Sequence, residues 1–404
     1  MVEKFAIKIL ILDDEPFMLK LLGQMLAKLG YTQVTTCDSG DRALELIDEP
    51  HSAPDLILCD LNMPKMDGIE FVRKLVERRY AGSLILVSGE DERVLQTAEK
   101  LVQAHRITVL GRLGKPPTPK GLIALLDKWS PPSQAGLRAA KKPYGADEVR
   151  AAITNGELVN YYQPKVALAT GELVGVESLV RWHHPKDGMV FPDQFIGVAE
   201  KHGLIDDLTR VVLAGALAQD KAWRDAGLVL QVAVNVSMDN LTSLDFPDIV
   251  ARETAAAGVA PQDVVLEVTE SRVMKELRDA LEILTRLRLK RFVLSIDDFG
   301  TGHSSLAQLR DIPFDELKVD RSFVHGAHTN KTIRAIHRAS VDLAQRLGMK
   351  IVAEGIEDID DWHFVHSTGC DLAQGYFIGK PMPASELHSW MAGWQQRVSS
   401  IRTS

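Results

Sequence analysis

The sequence lacks the features that would indicate a nucleic-acid-binding, membrane or secreted protein. Its 404 residues include only three cysteines, Cys37, Cys59 and Cys370, whose wide spacing fits neither a disulfide framework nor a paired metal motif. The net charge is −8 and no long basic run occurs, which argues against a DNA or RNA surface. No apolar run approaches the roughly 18 residues that a membrane span needs. We therefore expect reduced thiols, a cytoplasmic protein, no DNA partner and no membrane insertion.

The chain instead shows alternating strand and helix patterns. Hydrophobic residues make up 45% of the sequence, enough for a full core, and the length favours two domains over three. The first 130 residues or so alternate short apolar runs with amphipathic segments, which is typical of a parallel α/β fold. The predicted strands are Ile7–Leu12, Leu56–Cys59, Leu84–Val87 and Ile107–Leu110. The predicted helices are Phe17–Leu29, Gly40–Ile47 and Gly68–Glu77.

A break in composition separates this region from the rest of the chain. The stretch WSPPSQAGLRAAKKPY combines prolines, a glycine and a basic cluster, which is typical of a linker. Beyond it, strands and helices alternate over about 260 residues, a length that favours one (β/α) barrel. We predict domains at 1–128 and 146–404, joined by a linker at 129–145. The predicted barrel strands are Leu173–Trp182, Leu230–Ser237, Val264–Thr269, Phe292–Ile296, Leu317–Val319, Ile351–Ala353 and a segment near Tyr376.

Polar residues follow the predicted strands of the first domain. Asp13 and Asp14 follow ILIL, Asp60 opens DLNMPKMDG, Ser88 follows LILV, and Lys115 lies in LGKPP. Because the carboxyl ends of parallel strands meet at one edge, the three carboxylates could share one small hard cation. That cation and Lys115 would neutralise a phosphoryl group on Asp60, and Ser88 could donate a hydrogen bond to it. The alternative is that these aspartates are ordinary turn and helix-capping residues.

These motifs resemble those of a response-regulator receiver domain, which has a doubly wound, flavodoxin-like fold. The resemblance implies that Asp60 is the phosphoacceptor and that one Mg²⁺ is held by Asp13, Asp14, Asp60 and the Asn62 carbonyl. It also implies a sensor histidine kinase or phosphotransfer protein as partner. Arg112 stands where the family often has an aromatic switch residue, so the family's usual aromatic relay is not expected here.

A second series of polar residues follows the predicted barrel strands. Most successive members lie about one βα unit apart, and the carboxyl ends of barrel strands form the active-site face. Strand alternation directs these side chains away from their apolar neighbours and places Lys318 and Asp320 on one face. The members of the series are Glu177, Asn235, Glu267, Asp297, Lys318, Glu354 and Gln374.

Carboxylates crowded into one barrel lumen indicate a metal site. They would repel one another unless they were protonated or bound to metal, and oxygen ligands without cysteine favour Mg²⁺ or Mn²⁺ over Zn²⁺. Asp297 and Asp298 are consecutive, and Gly300 and Gly302 let the chain turn, so both carboxylates could reach the lumen and bridge two metals. Lys318, with a pKa lowered beside the metals, could orient or deprotonate the attacking water.

The second domain resembles the EAL family of cyclic-di-GMP phosphodiesterases. The resemblance rests on eight blocks in the family's order, namely YYQPKV, ESLVRW, NVS, EVTE, DDFGTGHSSL, FDELKVDRSFV, AEGIE and DLAQGYFIGKPMP. It implies a (β/α)8 TIM-like barrel that binds two Mg²⁺ or Mn²⁺ ions. It also implies hydrolysis of cyclic-di-GMP to linear pGpG, and a homodimer or higher homo-oligomer formed through this domain.

The resemblance further implies a role for each residue that matches a family motif. One metal would be held by Glu177, Asn235, Glu267 and Asp297, and the second by Asp297, Asp298 and Glu354. The catalytic group would be Lys318, Glu177 and Glu354. The residues that place substrate or water would be Gln163, Arg181, Asp320 and Gln374. Glu270 would brace the loop after Asp298 and couple it to dimerisation, and His303 replaces the aromatic residue that is usual in that loop.

The stretch GVESLVRW departs from the family's Glu-Ala-Leu signature at Ser178. Strand alternation places Glu177, Leu179 and Arg181 on one face and Ser178 on the other, toward the helix layer. We therefore interpret the substitution as a matter of packing, and the leading hypothesis is a phosphodiesterase tuned by phosphorylation of Asp60. Two alternatives stay open: a catalytically weak domain that senses the dinucleotide or scaffolds a partner, and an adaptor whose barrel only dimerises.

Overall fold

The computed structural model divides the chain into two compact units, Met1–Lys141 and Lys142–Ser404. The predicted linker at 129–145 lies largely outside the described residues, and its bounds stay a prediction. Its two described ends are buried in different cores, because Trp129 packs within the first unit and Tyr144 within the second. The structure describes residues 7–49, 53–78, 80–89, 95, 97–99, 101–102, 107–129, 144–269, 277–300, 309 and 311–402.

The first unit is a five-stranded parallel sheet with buried side chains on both faces. Its strand order is β2-β1-β3-β4-β5, and separate apolar clusters cover the two faces, which confirms the predicted doubly wound fold. The strands are β1 Ile9–Leu12, β2 Val34–Cys37, β3 Leu56–Asp60, β4 Ser83–Ser88 and β5 Thr108–Gly114. The helices with described bounds are α1 Pro16–Lys28, α2 Gly40–Asp48, α3 Gly68–Glu77 and α4 Pro119–Leu126.

Strand β2 was not predicted, because its sequence, VTTC, has almost no apolar face. Thr35 and Thr36 are exposed, and Cys37 is buried at the end of the strand. The strand lies at the sheet edge, where it pairs with β1 alone. An edge strand with one covered position gives little hydrophobic pattern to read.

The second unit is a closed barrel of eight strands, counted within the described residues, which confirms the predicted barrel class. The closed circuit is β6-β14-β13-β12-β11-β10-β9-β7, completed by the pairing of β6 with β7, and β8 extends β7 as a hairpin. The strands are β6 Leu158–Ala167, β7 Leu173–His184, β8 Gly188–Val190, β9 Gln231–Val236, β10 Val264–Thr269, β11 Val293–Phe299, β12 Glu316–Val319, β13 Lys350–Ala353 and β14 Leu372–Gln374.

The helices of this unit pack around the barrel over one large apolar core. Several begin at side chains that cap the first turn: Asn330 accepts bonds from two backbone amides, and Asp358 accepts one from Asp361. The helices are α5 Ala146–Thr154, α6 Ile196–Lys201, α7 Ile205–Asp225, α8 Phe246–Ala256, α9 Leu277–Leu289, α10 Lys331–Arg346, α11 Ile359–His366 and α12 Leu387–Arg402.

The barrel differs from the expectation at its first and last strands. Strand β6 was not predicted, and it runs antiparallel to both of its neighbours, β7 and β14. The last strand ends at Gln374 rather than near Tyr376, whose side chain is 58% exposed. The apolar letters around Tyr376 therefore belong to the loop after the strand.

Candidate active site

The centre of the barrel lumen is the ammonium group of Lys318. This side chain is 1% exposed, and its Nζ lies 2.8 Å from a carboxylate oxygen of both Glu267 and Glu354 and 3.1 Å from Asp297. Glu177 lies slightly farther away, at 3.7 Å. Burial would lower the pKa of Lys318, but the four carboxylates raise it well above its usual value. Lys318 is therefore a charged ammonium group that donates hydrogen bonds to the surrounding carboxylates.

A layer of side-chain amides holds Glu177. Its Oε1 accepts a hydrogen bond from Asn235 at 2.8 Å and its Oε2 accepts one from Gln374 at 2.5 Å. Gln374 also donates to Gln163, which in turn donates to the Gly379 carbonyl. Burial would raise the pKa of Glu177, but Lys318 and the two amides outweigh burial and lower it. Glu177 is therefore held as an oriented carboxylate.

Asp297, Asp298 and Glu354 form a second group of carboxylates at the end of β11 and β13. One oxygen from each lies within 4.8 Å of the others. Asp298 reaches this position because its own backbone turns into the left-handed region, with φ of 56°, where the pairing of β11 and β12 shifts register. Burial, Asp297 and Asp320 together raise the pKa of Asp298 to about 6. The turn thus begins at Asp298 itself, before Gly300.

A buried ion pair lies deeper in the lumen. Lys165 on β6 has its Nζ 2.9 Å from Glu316 Oε1 and 3.5 Å from Glu267 Oε1. Ser295 donates a hydrogen bond to the same Glu316 oxygen. Burial raises the pKa of Glu267 to about 8, although both lysines oppose that rise. Neither Lys165 nor Glu316 was predicted as a site residue, although Glu316 lies two residues before Lys318 on the same strand face.

The charges of the described lumen groups do not balance. Six carboxylates face two lysines, so four negative charges remain if every group is ionised. Two divalent cations carry that charge, and the donors are carboxylate oxygens with the Asn235 amide, a set that fits Mg²⁺ or Mn²⁺. The carboxylates are Glu177, Glu267, Asp297, Asp298, Glu316 and Glu354.

Arg181 lies on the same strand face as Glu177 and is 8% exposed. Its guanidinium donates to the Val180 carbonyl and packs 5.7 Å and 5.3 Å from the ring centres of Tyr161 and Phe191. No carboxylate of the described residues lies within ion-pair distance of it. Its charge is therefore available for an anionic ligand at the barrel mouth.

The first unit gathers its predicted site at the end of its sheet. The ligand oxygens of Asp13, Asp14 and Asp60 lie within 4.8 Å of one another. Lys115 Nζ is 2.9 Å from Asp13 and 2.8 Å from Asp60, and Asp60 also accepts the Asn62 backbone N–H at 3.2 Å. Burial raises the pKa of Asp13.

The structure also describes Ser88 and Arg112 of the first unit. Ser88 is buried at the end of β4, beside this group in the sheet order. Arg112, at the position of the family's aromatic residue, has its Nε 2.9 Å from Glu99 Oε2. The first turns of α1 and α3 follow Glu15 and Asp67, so the clustered aspartates do not occupy those cap positions.

Comparison with known proteins decides the family. Residues 9–127 match the response regulator receiver domain and residues 146–381 match the EAL domain. The chain belongs to the EAL family. It is 33% identical over 390 residues to the cyclic di-GMP phosphodiesterase RocR of Pseudomonas aeruginosa, covering 96% of this chain and 99% of that protein. It is also 40% identical over 260 residues to the cyclic di-GMP phosphodiesterase NbdA of the same species, covering 64% of this chain and 33% of NbdA.

Solved structures place the EAL domain among ligand-bound relatives. The PaMucR phosphodiesterase in complex with c-di-GMP matches with a TM-score of 0.57 at 40% identity, covering 60% of this chain and 98% of that one. The EAL enzyme Bd1971, bound to cAMP and cyclic-di-GMP, matches with a TM-score of 0.58 at 26% identity, covering 75% of this chain and 76% of that one. Both matches agree with the barrel described above.

Of the residues Asp320, Glu270 and His303, which the sequence singled out in the EAL domain, the structure describes Asp320. Asp320 caps the turn after β12, where it accepts the Ser322 backbone N–H at 2.9 Å, and it lies close enough to raise the pKa of Asp298. Glu270 and His303 lie outside the described residues.

No helix of the described part of the chain is long and apolar enough to cross a bilayer.

Ser178, the departure from the EAL signature, faces the helix layer as expected. It is 2% exposed and borders a cavity of about 260 Å³ that α7 lines with Leu208 and Val212. Its hydroxyl has no hydrogen-bond partner among the described residues. The substitution therefore lies behind the strand face that carries Glu177.

Proposed function

We propose that this protein hydrolyses cyclic-di-GMP to linear pGpG, with divalent cations as cofactors and with phosphorylation of Asp60 as the control. The observation that carries the proposal is the set of carboxylates around Lys318, together with the Arg181 guanidinium, which has no carboxylate partner among the described residues. The relatives named above as cyclic di-GMP phosphodiesterases supply the substrate class.

The cations would occupy two overlapping carboxylate groups. Glu177, Asn235, Glu267 and Asp297 would hold one ion, and Asp297, Asp298 and Glu354 the other. Bound Mg²⁺ or Mn²⁺ would lower the pKa of water and stabilise charge on the phosphate oxygens. The amides of Asn235 and Gln374 already hold the Glu177 carboxylate in one orientation, so this ligand loses little freedom on binding.

The proposed role of Lys318 is to orient and deprotonate the attacking water. With protein groups alone its pKa is raised, so it donates hydrogen bonds rather than accepting a proton. The lowered pKa expected from the sequence requires cations to offset the surrounding carboxylates. Lys318 would then orient the attacking water and take up its proton.

Arg181 and the glutamines would position the dinucleotide. Arg181 offers a planar donor to a phosphate at the mouth, and its packing on Tyr161 and Phe191 limits its freedom. Gln163 and Gln374 donate within a chain that ends at Glu177, so they would fix the floor of the site. Asp320 lies at the rim as a further candidate contact for substrate or water.

The decisive test is product analysis with purified full-length protein. Wild type with Mg²⁺ or Mn²⁺ should convert cyclic-di-GMP to pGpG, and Glu177→Ala or Lys318→Ala should abolish conversion. Arg252→Ala, at an exposed position of the outer helix α8, serves as a handling control. Tight binding by wild type without turnover would instead support the sensor alternative.

Receiver control needs its own experiment. A phosphoryl group on Asp60 would replace the contact that Asp60 now makes with Lys115. The loops after β3 and β5, which carry these two residues, would therefore rearrange. Turnover measured with and without a small-molecule phosphodonor should differ in wild type and not in Asp60→Ala. Equal rates in all four measurements would remove the regulatory proposal while leaving the hydrolase intact.

Two partner assignments and a location complete the proposal. A sensor histidine kinase or phosphotransfer protein would supply the phosphoryl group, as the receiver match indicates. The EAL domain would form a homodimer or higher homo-oligomer, which light scattering of the purified protein would test. The reaction would take place in the cytoplasm.

A further inference from the structure

A second cluster of histidines and carboxylates lies outside the barrel lumen. His325 and His328 belong to the segment between β12 and α10, and Asp358 and Asp361 belong to the start of α11. One ligand atom each from His325, Asp358 and Asp361 lies within 4.8 Å of the others. The cluster therefore joins the loop after β12 to the loop after β13.

Asp361 is the centre of this cluster and is fully buried. Its Oδ2 lies 2.7 Å from His325 Nδ1, and its Oδ1 lies 3.6 Å from His328 Nδ1. The same carboxylate accepts the backbone N–H groups of Gly326 and Glu357. Its ion-pair partners in the described part of the chain are these two histidines, with no Lys or Arg. The hydrogen bonds from His325 and from these two backbone groups hold Asp361 as a carboxylate in a fixed orientation.

His328 provides an independent observation. Its Nδ1 atom is buried and has no hydrogen-bond partner among the residues that the structure describes. The ring as a whole is 30% exposed, and the 3.6 Å between this nitrogen and Asp361 Oδ1 is too long for a hydrogen bond, so a ligand shared by the two atoms would satisfy the nitrogen. A cation would accept the lone pair of this nitrogen and the charge of Asp361 at once.

The rest of the cluster adds negative charge. Glu357 Oε2 is 3.9 Å from His325 Nε2, and its other oxygen is paired with Arg321 at 2.5 Å. Asp358 uses one oxygen to cap α11, which leaves the second for another partner. Mixed imidazole and carboxylate donors suit Zn²⁺ and its neighbours, whereas Mg²⁺ prefers oxygen alone.

We propose that His325, Asp358 and Asp361 bind a divalent transition-metal ion of the Zn²⁺ class, with His328 as a further ligand. The site is separate from the lumen carboxylates and differs from them in containing nitrogen donors. Its two loops are the ones that continue from Lys318 and Glu354. A bound ion would therefore cross-link the loops behind the catalytic groups and stabilise their positions.

The competing explanation is a proton shared within the pair of His325 and Asp361. The hydrogen bond to Asp361 raises the pKa of His325, so a protonated imidazole could also balance the carboxylate. The two explanations differ in metal stoichiometry. A shared proton gives no binding of transition metal beyond that of the lumen and the receiver.

The test uses EDTA-treated, full-length protein in saturating Mg²⁺, titrated with Co²⁺ as a spectroscopic probe. Because Co²⁺ can also replace Mg²⁺ in the lumen and the receiver, the readout is the difference between variants: wild type should bind one equivalent of Co²⁺ more than His325→Gln, with the visible absorption bands of mixed nitrogen and oxygen ligation. His325→Gln should lose that equivalent or bind at least about tenfold more weakly. Asp361→Asn should behave in the same way, but His325 is partly exposed and is the safer variant for folding.

Matched controls separate this site from the others. Glu354→Gln and Asp60→Asn should keep the Co²⁺ equivalent and its spectrum, because they remove ligands of the lumen and the receiver. Co²⁺ should raise the melting temperature of wild type more than that of His325→Gln. Identical titrations for wild type and His325→Gln, or no bound Co²⁺ in either, would overturn the proposal.

Discussion

Lys165 and Glu316 form a buried ion pair in the floor of the barrel, with the lysine Nζ 2.9 Å from the glutamate Oε1. Lys165 also contacts Glu267, whose other oxygen contacts Lys318. Glu267 is thus held between two lysines, one on the reacting side and one beneath. We infer that the deeper lysine positions Glu267 and does not itself meet substrate.

Replacing Lys165 alone should destabilise the EAL domain. Lys165→Met leaves Glu316 buried without its partner, which typically costs about 3–5 kcal/mol. Lys165→Met combined with Glu316→Leu should recover most of that loss, because apolar replacement of a buried pair is often nearly neutral. Urea unfolding of the single and double variants measures both effects. Equal stability of the two variants would mean that the pair contributes nothing as a unit.

Removing the Ser178 hydroxyl should leave catalysis intact. Ser178 faces the α7 cavity, and its hydroxyl is unpaired within the described structure. We expect Ser178→Ala to raise the free energy of unfolding by about 1 kcal/mol and to leave kcat and KM unchanged. Glu177→Ala, one residue away on the opposite face, should lose turnover. A large fall in kcat for Ser178→Ala at unchanged stability would contradict the assigned faces.

Loss of Lys318 should make the EAL domain more dependent on cations for stability. Without its ammonium group, four carboxylates lose their shared counter-charge. Metal-free Lys318→Met should melt below wild type, and Mg²⁺ should raise its melting temperature more than that of wild type. Turnover should be absent even when Mg²⁺ is bound. An equal Mg²⁺ shift in both proteins would show that Lys318 does not compensate the metal ligands.

Glu267 should make cation-free stability fall as pH rises. Burial raises its pKa to about 8 from an ordinary 4.5, so between those values the folded protein binds a proton that the unfolded chain releases. Stability from this group is therefore present below about pH 4.5 and is lost as pH approaches 8. EDTA-treated wild type should lose more stability between about pH 6 and 8 than Glu267→Gln, measured by urea unfolding.

The same protonation should couple cation binding to pH. Mg²⁺ and the proton compete for Glu267, so Mg²⁺ affinity should increase from about pH 6 to 8 and binding should release protons. Calorimetry in two buffers of different ionisation enthalpy measures that release. Glu267→Gln should release about one proton fewer per chain. Proton release unchanged by the substitution would assign the titration to another carboxyl group.

The sequence alone predicted the groups that follow apolar strands. Asp60, Glu177 and Lys318 each end or interrupt a hydrophobic run, and barrel and sheet geometry then place such residues at one edge. Strand β2 and strand β6 were missed because their residues do not form continuous apolar runs. The reversed direction of β6 depends on its pairing with β7 and β14, which is a long-range property that a local pattern cannot carry.

Buried charge was the other feature beyond reach of the sequence. In the sequence, Lys165 and Glu316 look like ordinary surface residues of a strand. They can be buried because their opposite charges pair, and that pairing is known only from the structure. The cluster at Asp361 is similar, because its histidines lie far from it along the chain. The cluster forms because the fold brings the loop after β12 next to the loop after β13.

The reversal of β6 also decides where the polypeptide enters the barrel. In an all-parallel barrel the first strand starts at the end opposite the active site. Here Leu158, at the start of β6, pairs with Trp182 near the carboxyl end of β7, so the chain arrives at the catalytic rim. A displacement carried along the incoming backbone would reach Gln163, which lies within the same strand and belongs to the amide layer that holds Glu177.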